Sequence, residues 1–92
     1  MTVRLPQVLR ADAGGRSLLF VDVPDGATLA DVLDVVAAEH PGLDRRLRDE
    51  QRVLRRHVNF YLGDEECRGL GGAGAQVRAG TEVRIIPSVA GG

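Results

Sequence analysis

The chain has 92 residues, 43% of them hydrophobic but only 3% aromatic, with a formal net charge of −1 and a single cysteine. That length makes one small domain, expected to bury roughly two thirds of the surface its unfolded chain exposes, around an aliphatic core of Val, Leu and Ile. The charge argues against a general nucleic-acid binder, which needs a basic surplus. No apolar run reaches the about 18 residues of a membrane span, and the N-terminus lacks the apolar centre of a secretory signal, so a cytoplasmic protein is expected.

Thr2 to Leu9 carries apolar residues at Val3 and Leu5 and then, after Pro6, at Val8 and Leu9. The change of parity around Pro6 predicts a first strand with an edge position or a bulge. Gly14-Gly15 marks a turn, and Ser17 to Val23 forms a second run of strand formers, so the opening reads as a β-hairpin. Pro24-Asp25-Gly26 breaks the strand. Thr28 is then a good N-cap, with Asp31 in the favoured first turn. Leu29, Val32, Leu33, Val36 and Ala37 follow helical spacing and form one apolar stripe. His40-Pro41-Gly42 stops this helix.

Gly42 to His57 is charge-dense, with six arginines (Arg45, Arg46, Arg48, Arg52, Arg55, Arg56) against Asp44, Asp49 and Glu50. A short helical turn around Leu43 to Arg48 followed by an exposed loop is expected. The arginines could dock a partner, but the acids dilute them, and a solvated crossover is the reading the sequence favours. Val58-Asn59-Phe60-Tyr61-Leu62 is a third strand with Val58, Phe60 and Leu62 on one face. Gly63-Asp64-Glu65-Glu66 reads as an acidic turn, and residues 69–80 as a glycine-rich loop anchored by Leu70 and Val77. The last strand is Glu82 to Ile86, ending at Pro87, which cannot donate to a ladder.

Hairpin, helix, crossover and two further strands leave a single helix to cover one sheet face. The expected fold is therefore α+β, a β-grasp with a mixed four- to five-stranded sheet covered by one main helix. Val3, Leu5, Val21, Val23, Phe60 and Ile85 would meet the helix stripe. The domain would span 1–87, with 88–92 as a flexible C-terminal tail.

Little else in the chain can run chemistry. Gly69-Leu70-Gly71-Gly72-Ala73-Gly74 matches the G-x-G-x-x-G string, but that string works only between a strand and a helix N-terminus. Here a strand follows, so a plain glycine-rich loop explains it. His40 and His57 have no clustered partners for zinc, and no metal site is expected. Ser88 has no base nearby. Cys67 lies among acids that would raise its pKa, and it reads as structural or incidental. All twelve Lys+Arg residues are arginine, so the chain cannot accept an isopeptide bond on a lysine of its own.

What remains is the ending Pro87-Ser88-Val89-Ala90-Gly91-Gly92. A carboxylate is a poor electrophile, and its use as an acyl donor requires adenylation at a nucleotide site that another protein would supply. Gly91 and Gly92, without Cβ atoms, could enter a narrow channel. Five extended residues reach roughly 16 Å, enough for a buried site while the domain docks outside.

A small β-grasp domain ending in Gly91-Gly92 resembles the ThiS/MoaD family of ubiquitin-like sulfur carriers, and is most similar to the CysO-type carriers of actinobacteria. The resemblance is carried by residues 58–68 (Val-Asn-Phe-Tyr-Leu-Gly-Asp-Glu-Glu-Cys-Arg), the glycine-rich loop after them, and Val83 to Gly92. It implies a carrier rather than an enzyme. Gly92 would be adenylated by an ATP-dependent activating enzyme of the MoeB/ThiF/MoeZ type and converted to a thiocarboxylate, with Gly91, Ala90 and Val89 recognised as the tail. A CysO-like carrier would pass its sulfur to a cysteine synthase that uses pyridoxal phosphate, and a metalloprotease would release cysteine. Related carriers supply molybdopterin, thiamine or sulfur-containing natural products, and a ubiquitin-like modifier joined to lysines is the competing class. The carrier itself would bind no cofactor. Phe60 and Leu62, beside the tail, are the candidate docking surface.

Overall fold

In this computed structural model, residues 1–87 are described, and the sequence-predicted tail residues Val89, Ala90, Gly91 and Gly92 lie outside them. The β-branched runs pair into one five-stranded mixed sheet. Its strands are β1 (Thr2–Arg4), β2 (Leu18–Phe20), β3 (Val58–Leu62), β4 (Glu65–Glu66) and β5 (Glu82–Pro87), in the order β2-β1-β5-β3-β4. β1 is antiparallel to β2, with Val3 opposite Leu19, and parallel to β5, with Val3 opposite Val83. β3 is antiparallel to β5, where Phe60 faces Ile85, and to β4, where Tyr61 faces Glu66. The parallel pairing of first and last strands requires a crossover, and the helices supply it.

Helix α1 (Leu29–Glu39) begins at a capping box. The Thr28 hydroxyl accepts from the Asp31 N–H, and the Asp31 carboxylate accepts from the Thr28 N–H at 2.9 Å. This satisfies two donors that a helix start otherwise leaves without partners. Leu29, Val32, Leu33 and Val36 are buried along one stripe and share the core with Val3, Phe60, Val83 and Ile85 from the sheet and with Leu5 and Val21 just past the ends of β1 and β2. Burying each such side chain contributes about 1.5–3 kcal/mol. Val23, expected in this core, is only partly buried at its margin.

Four expectations about the fold need correction. β1 ends at Arg4 and is an interior strand, neither edge nor bulged. After Pro6 the chain forms a 3-10 segment (Gln7–Ala13) that buries Leu9 and Ala13, so the parity change marked an i, i+4 pair. Gly14, at φ 67°, closes it in the left-handed region that favours glycine. Pro41 does more than stop α1, because it opens a second helix, α2 (Pro41–Leu47), which buries Leu43 and Leu47. Glu65–Glu66, read as part of a turn, pairs as edge strand β4. β5 also carries Pro87 in register with Val58, since a missing N–H is tolerated at a strand end.

The charge-dense crossover departs furthest from its expected form. Residues 48–54 double back on a bridge between Arg48 and Leu54, and the Asp49 carboxylate accepts from the Gln51 and Val53 N–H groups at 2.9 and 3.0 Å. Arg48 is 2% exposed. Its Nε donates to Asp44 at 2.8 Å and its Nη1 to Asp34 at 2.9 Å, tying α1 to α2. Burial alone would lower its pKa, but hydrogen bonds and the negative charge of Asp44 and Asp34 outweigh this and raise it.

Candidate functional site

The candidate site is the root of the C-terminal segment. Pro87, the last described residue, is paired with Val58, at the start of β3. Residues 55–57 therefore lead into the strand position paired with Pro87. A turn fixes them there: the Val58 N–H donates to the Arg55 carbonyl at 3.2 Å, and the Arg55 N–H donates to the Leu47 carbonyl at 3.0 Å. Arg68 braces the same turn, its Nη2 donating to the carbonyls of Arg55 and Val58, while its Nη1 holds Glu66 at 2.7 Å. Burial alone would raise the Glu66 carboxyl, but the N–H, guanidinium and charge of Arg68 hold it below its ordinary value.

The expected docking pair does not face outward. Phe60 is 0% and Leu62 8% exposed, both part of the core. Period-two alternation puts their neighbours Asn59 and Tyr61 on the open face instead. The signal lay in the sequence: Phe60 shares the apolar parity of Val58, and that parity belongs to the face covered by α1. On the open face Arg84 lies 5.5 Å from the Tyr61 ring centroid, a cation–π distance. Arg4 donates to Glu82 at 3.1 Å, which raises its pKa. Phe20, 74% exposed, and Ile86 are the large apolar residues of this face.

Cys67 is buried, and burial first, then the neighbouring Glu66, pushes its thiol pKa up. Its alkylation by a small reagent is expected to be at least about 100-fold slower in the native protein than after unfolding. Native labelling at the unfolded rate would show that the strand-end packing around it opens freely. The glycine-rich loop forms two short 3-10 turns, Cys67–Leu70 and Gly72–Gly74. It then passes Ala75, whose carbonyl accepts from the Leu29 N–H at 2.9 Å. The loop thus braces the start of α1. Among the described residues, no three His, Cys, Asp or Glu side chains come together as metal ligands, and no helix is long and apolar enough to cross a membrane.

The ThiS family profile matches residues 3–92. The chain is 36% identical to the sulfur carrier protein CysO of Mycobacterium tuberculosis over 94 aligned positions, covering 100% of this chain and 98% of the relative. It is 37% identical to small archaeal modifier protein 1 of Haloferax volcanii, covering 89% and 90% of the two chains. Its fold superposes on a chain of the Amycolatopsis orientalis BexX/CysO complex with a TM-score of 0.87, at 38% identity and covering 99% and 98% of the two chains. The mixed sheet and the helix packed on it are the β-grasp arrangement of these relatives. With a profile match running from Val3 to Gly92, the chain belongs to the ThiS family.

Proposed function

We propose that this protein is a sulfur carrier whose working atom is the carbonyl carbon of Gly92. The observation that carries this reading is the family match through Gly92, together with similarity over the whole chain to sulfur carrier protein CysO. The Gly92 carboxylate attacks the α-phosphorus of ATP in an activating enzyme of the MoeB/ThiF/MoeZ type, releasing pyrophosphate and leaving an acyl adenylate. A persulfide sulfur then attacks the carbonyl carbon and expels AMP. A second thiol cleaves the S–S bond, leaving the thiocarboxylate on Gly92. Gly91, Ala90 and Val89 are the segment such an enzyme reads. The carrier holds no cofactor and works in the cytoplasm. Its role is positional, since holding a reactive end in one geometry supplies much of an acyl-transfer rate.

The destination of the sulfur is proposed as CysO-like cysteine formation. A cysteine synthase would supply pyridoxal phosphate, and a metalloprotease would free the product. Molybdopterin, thiamine and sulfur-containing natural products are the alternative destinations. A lysine-conjugated modifier is the second reading, favoured by similarity to small archaeal modifier protein 1. Intact mass after incubation with activating enzyme, ATP and a sulfur source separates the two. The carrier reading expects a mass gain equal to the difference between sulfur and oxygen. Lysine adducts on other proteins with no thioacid would establish the modifier instead.

A further inference from the structure

The folded crossover changes the meaning of its arginines. Two of its three acids are engaged inward or in the loop itself, Asp44 on the buried Arg48 at 2.8 Å and Asp49 on backbone N–H groups, which leaves the exposed Glu50 against the outward arginines. Arg45 and Arg56 are exposed, and Arg55 is partly so. The Arg55 Nε donates to the Arg45 carbonyl at 2.7 Å, which places Arg45 beside the turn that leads into Val58 and its partner Pro87. At the opposite end of the sheet lie the exposed Asp22, Asp25, Asp31, Asp64 and Glu65. A chain of net charge −1 is therefore polarised along its strands, positive at the end where Pro87 pairs with Val58.

We propose that Arg45, Arg55 and Arg56 form a basic collar round the root of the C-terminal segment, which docks on a carboxylate-lined rim at the mouth of the activating enzyme's channel. This rests on the carrier reading above. The collar sits at the root, and the five residues beyond Pro87 can extend roughly 16 Å. It therefore meets the rim of the channel while Gly92 reaches the reacting centre. A polyanion such as DNA is the poorer fit, because three arginines neutralise few phosphates and the far pole is acidic. Rim charges of this kind act on encounter rate and apparent affinity more than on chemistry.

The test uses the double variant Arg45→Gln/Arg56→Gln, with Arg78→Gln as a control. Arg55 is left in place because its guanidinium also holds a carbonyl of the turn. Carrier-dependent ATP–pyrophosphate exchange is measured with a MoeB/ThiF-type enzyme at low and high salt. The double variant is expected to lose about tenfold in kcat/KM at low salt, through KM with kcat unchanged, and the gap narrows as salt rises. Arg78→Gln is expected to match the wild type. An unchanged double variant, or an equal loss in the control, overturns the collar. A wild-type chain that supports no exchange and gains no sulfur refutes the carrier reading instead. The collar is then decided by NMR titration of the chain with a decaglutamate peptide. Shifts concentrated in residues 45–57 support it. Shifts spread equally over Arg4, Arg78 and Arg84, or tighter binding of a random-sequence DNA duplex, overturn it.

Discussion

Deleting Gly92 is expected to abolish thiocarboxylate formation outright while leaving the unfolding midpoint of the protein unchanged. The two halves of this result have separate causes. The last ladder pair among the described residues joins Pro87 to Val58, five residues before the end, and the buried cluster is assembled from residues 3 to 85. Removing a residue beyond all of these is expected to alter stability by no more than about 0.5 kcal/mol. The chemistry has no such reserve. An activating enzyme holds the carboxylate in line with a phosphorus atom, and a chain shortened by one residue of about 3.5 Å misses that position entirely. Gly91→Val tests the channel rather than the reach. The β-branched side chain restricts torsions and widens the chain end, with an expected loss of about 100-fold in activation. Intact mass and exchange kinetics read both variants. A shortened chain that still gains sulfur would move the reactive carbon away from Gly92.

The sequence was legible wherever one local rule acted alone. Thr28 with Asp31 announced the start of α1, and the stripe Leu29, Val32, Leu33, Val36 its buried face. Val58–Leu62 carried its strand and burial parity openly. Failures came where two rules competed. Leu9 is buried with Ala13 on a 3-10 segment, yet beside Val3 and Leu5 it read as more strand. Pro41 both ends one helix and begins another, so the helical turn expected around Leu43 to Arg48 starts two residues earlier, at Pro41, and buries Leu43 and Leu47. Phe60 carried two expectations, a core position from its parity and a docking surface from its place beside the tail, and its burial keeps only the first. Arg48 had no signal at all. Six arginines in a row of charges look alike until packing selects one. The same selection turned Asp44 and Asp49 to local partners, so the outward balance of the crossover is basic even though its written composition is mixed.

Asp44→Ala is expected to destabilise the protein by about 3 kcal/mol, more than Arg48→Met, which is expected to cost about 1 kcal/mol. The ordering follows from where the charges sit. The Arg48 side chain is 2% exposed, whereas Asp44 and Asp34 keep 20% and 44% of their side-chain exposure. Taking away Asp44 leaves a buried guanidinium with a single carboxylate within reach, and with Nη2 already lacking a partner among the described residues. A buried charge stripped of compensation is the costly outcome. Replacing the guanidinium by a thioether of similar reach removes the buried charge itself, and the two carboxylates it leaves remain partly hydrated. Against a typical total stability of about 5–15 kcal/mol for a small domain, the Asp44→Ala loss is large enough to read cleanly by urea unfolding. In the double variant the costs should not add, because an uncharged thioether in place of the guanidinium has no need of Asp44. A coupling of about 2 kcal/mol is expected. Arg48→Met proving as damaging as Asp44→Ala would mean that the ion pair contributes net stability and does more than tie α1 to α2 in one arrangement.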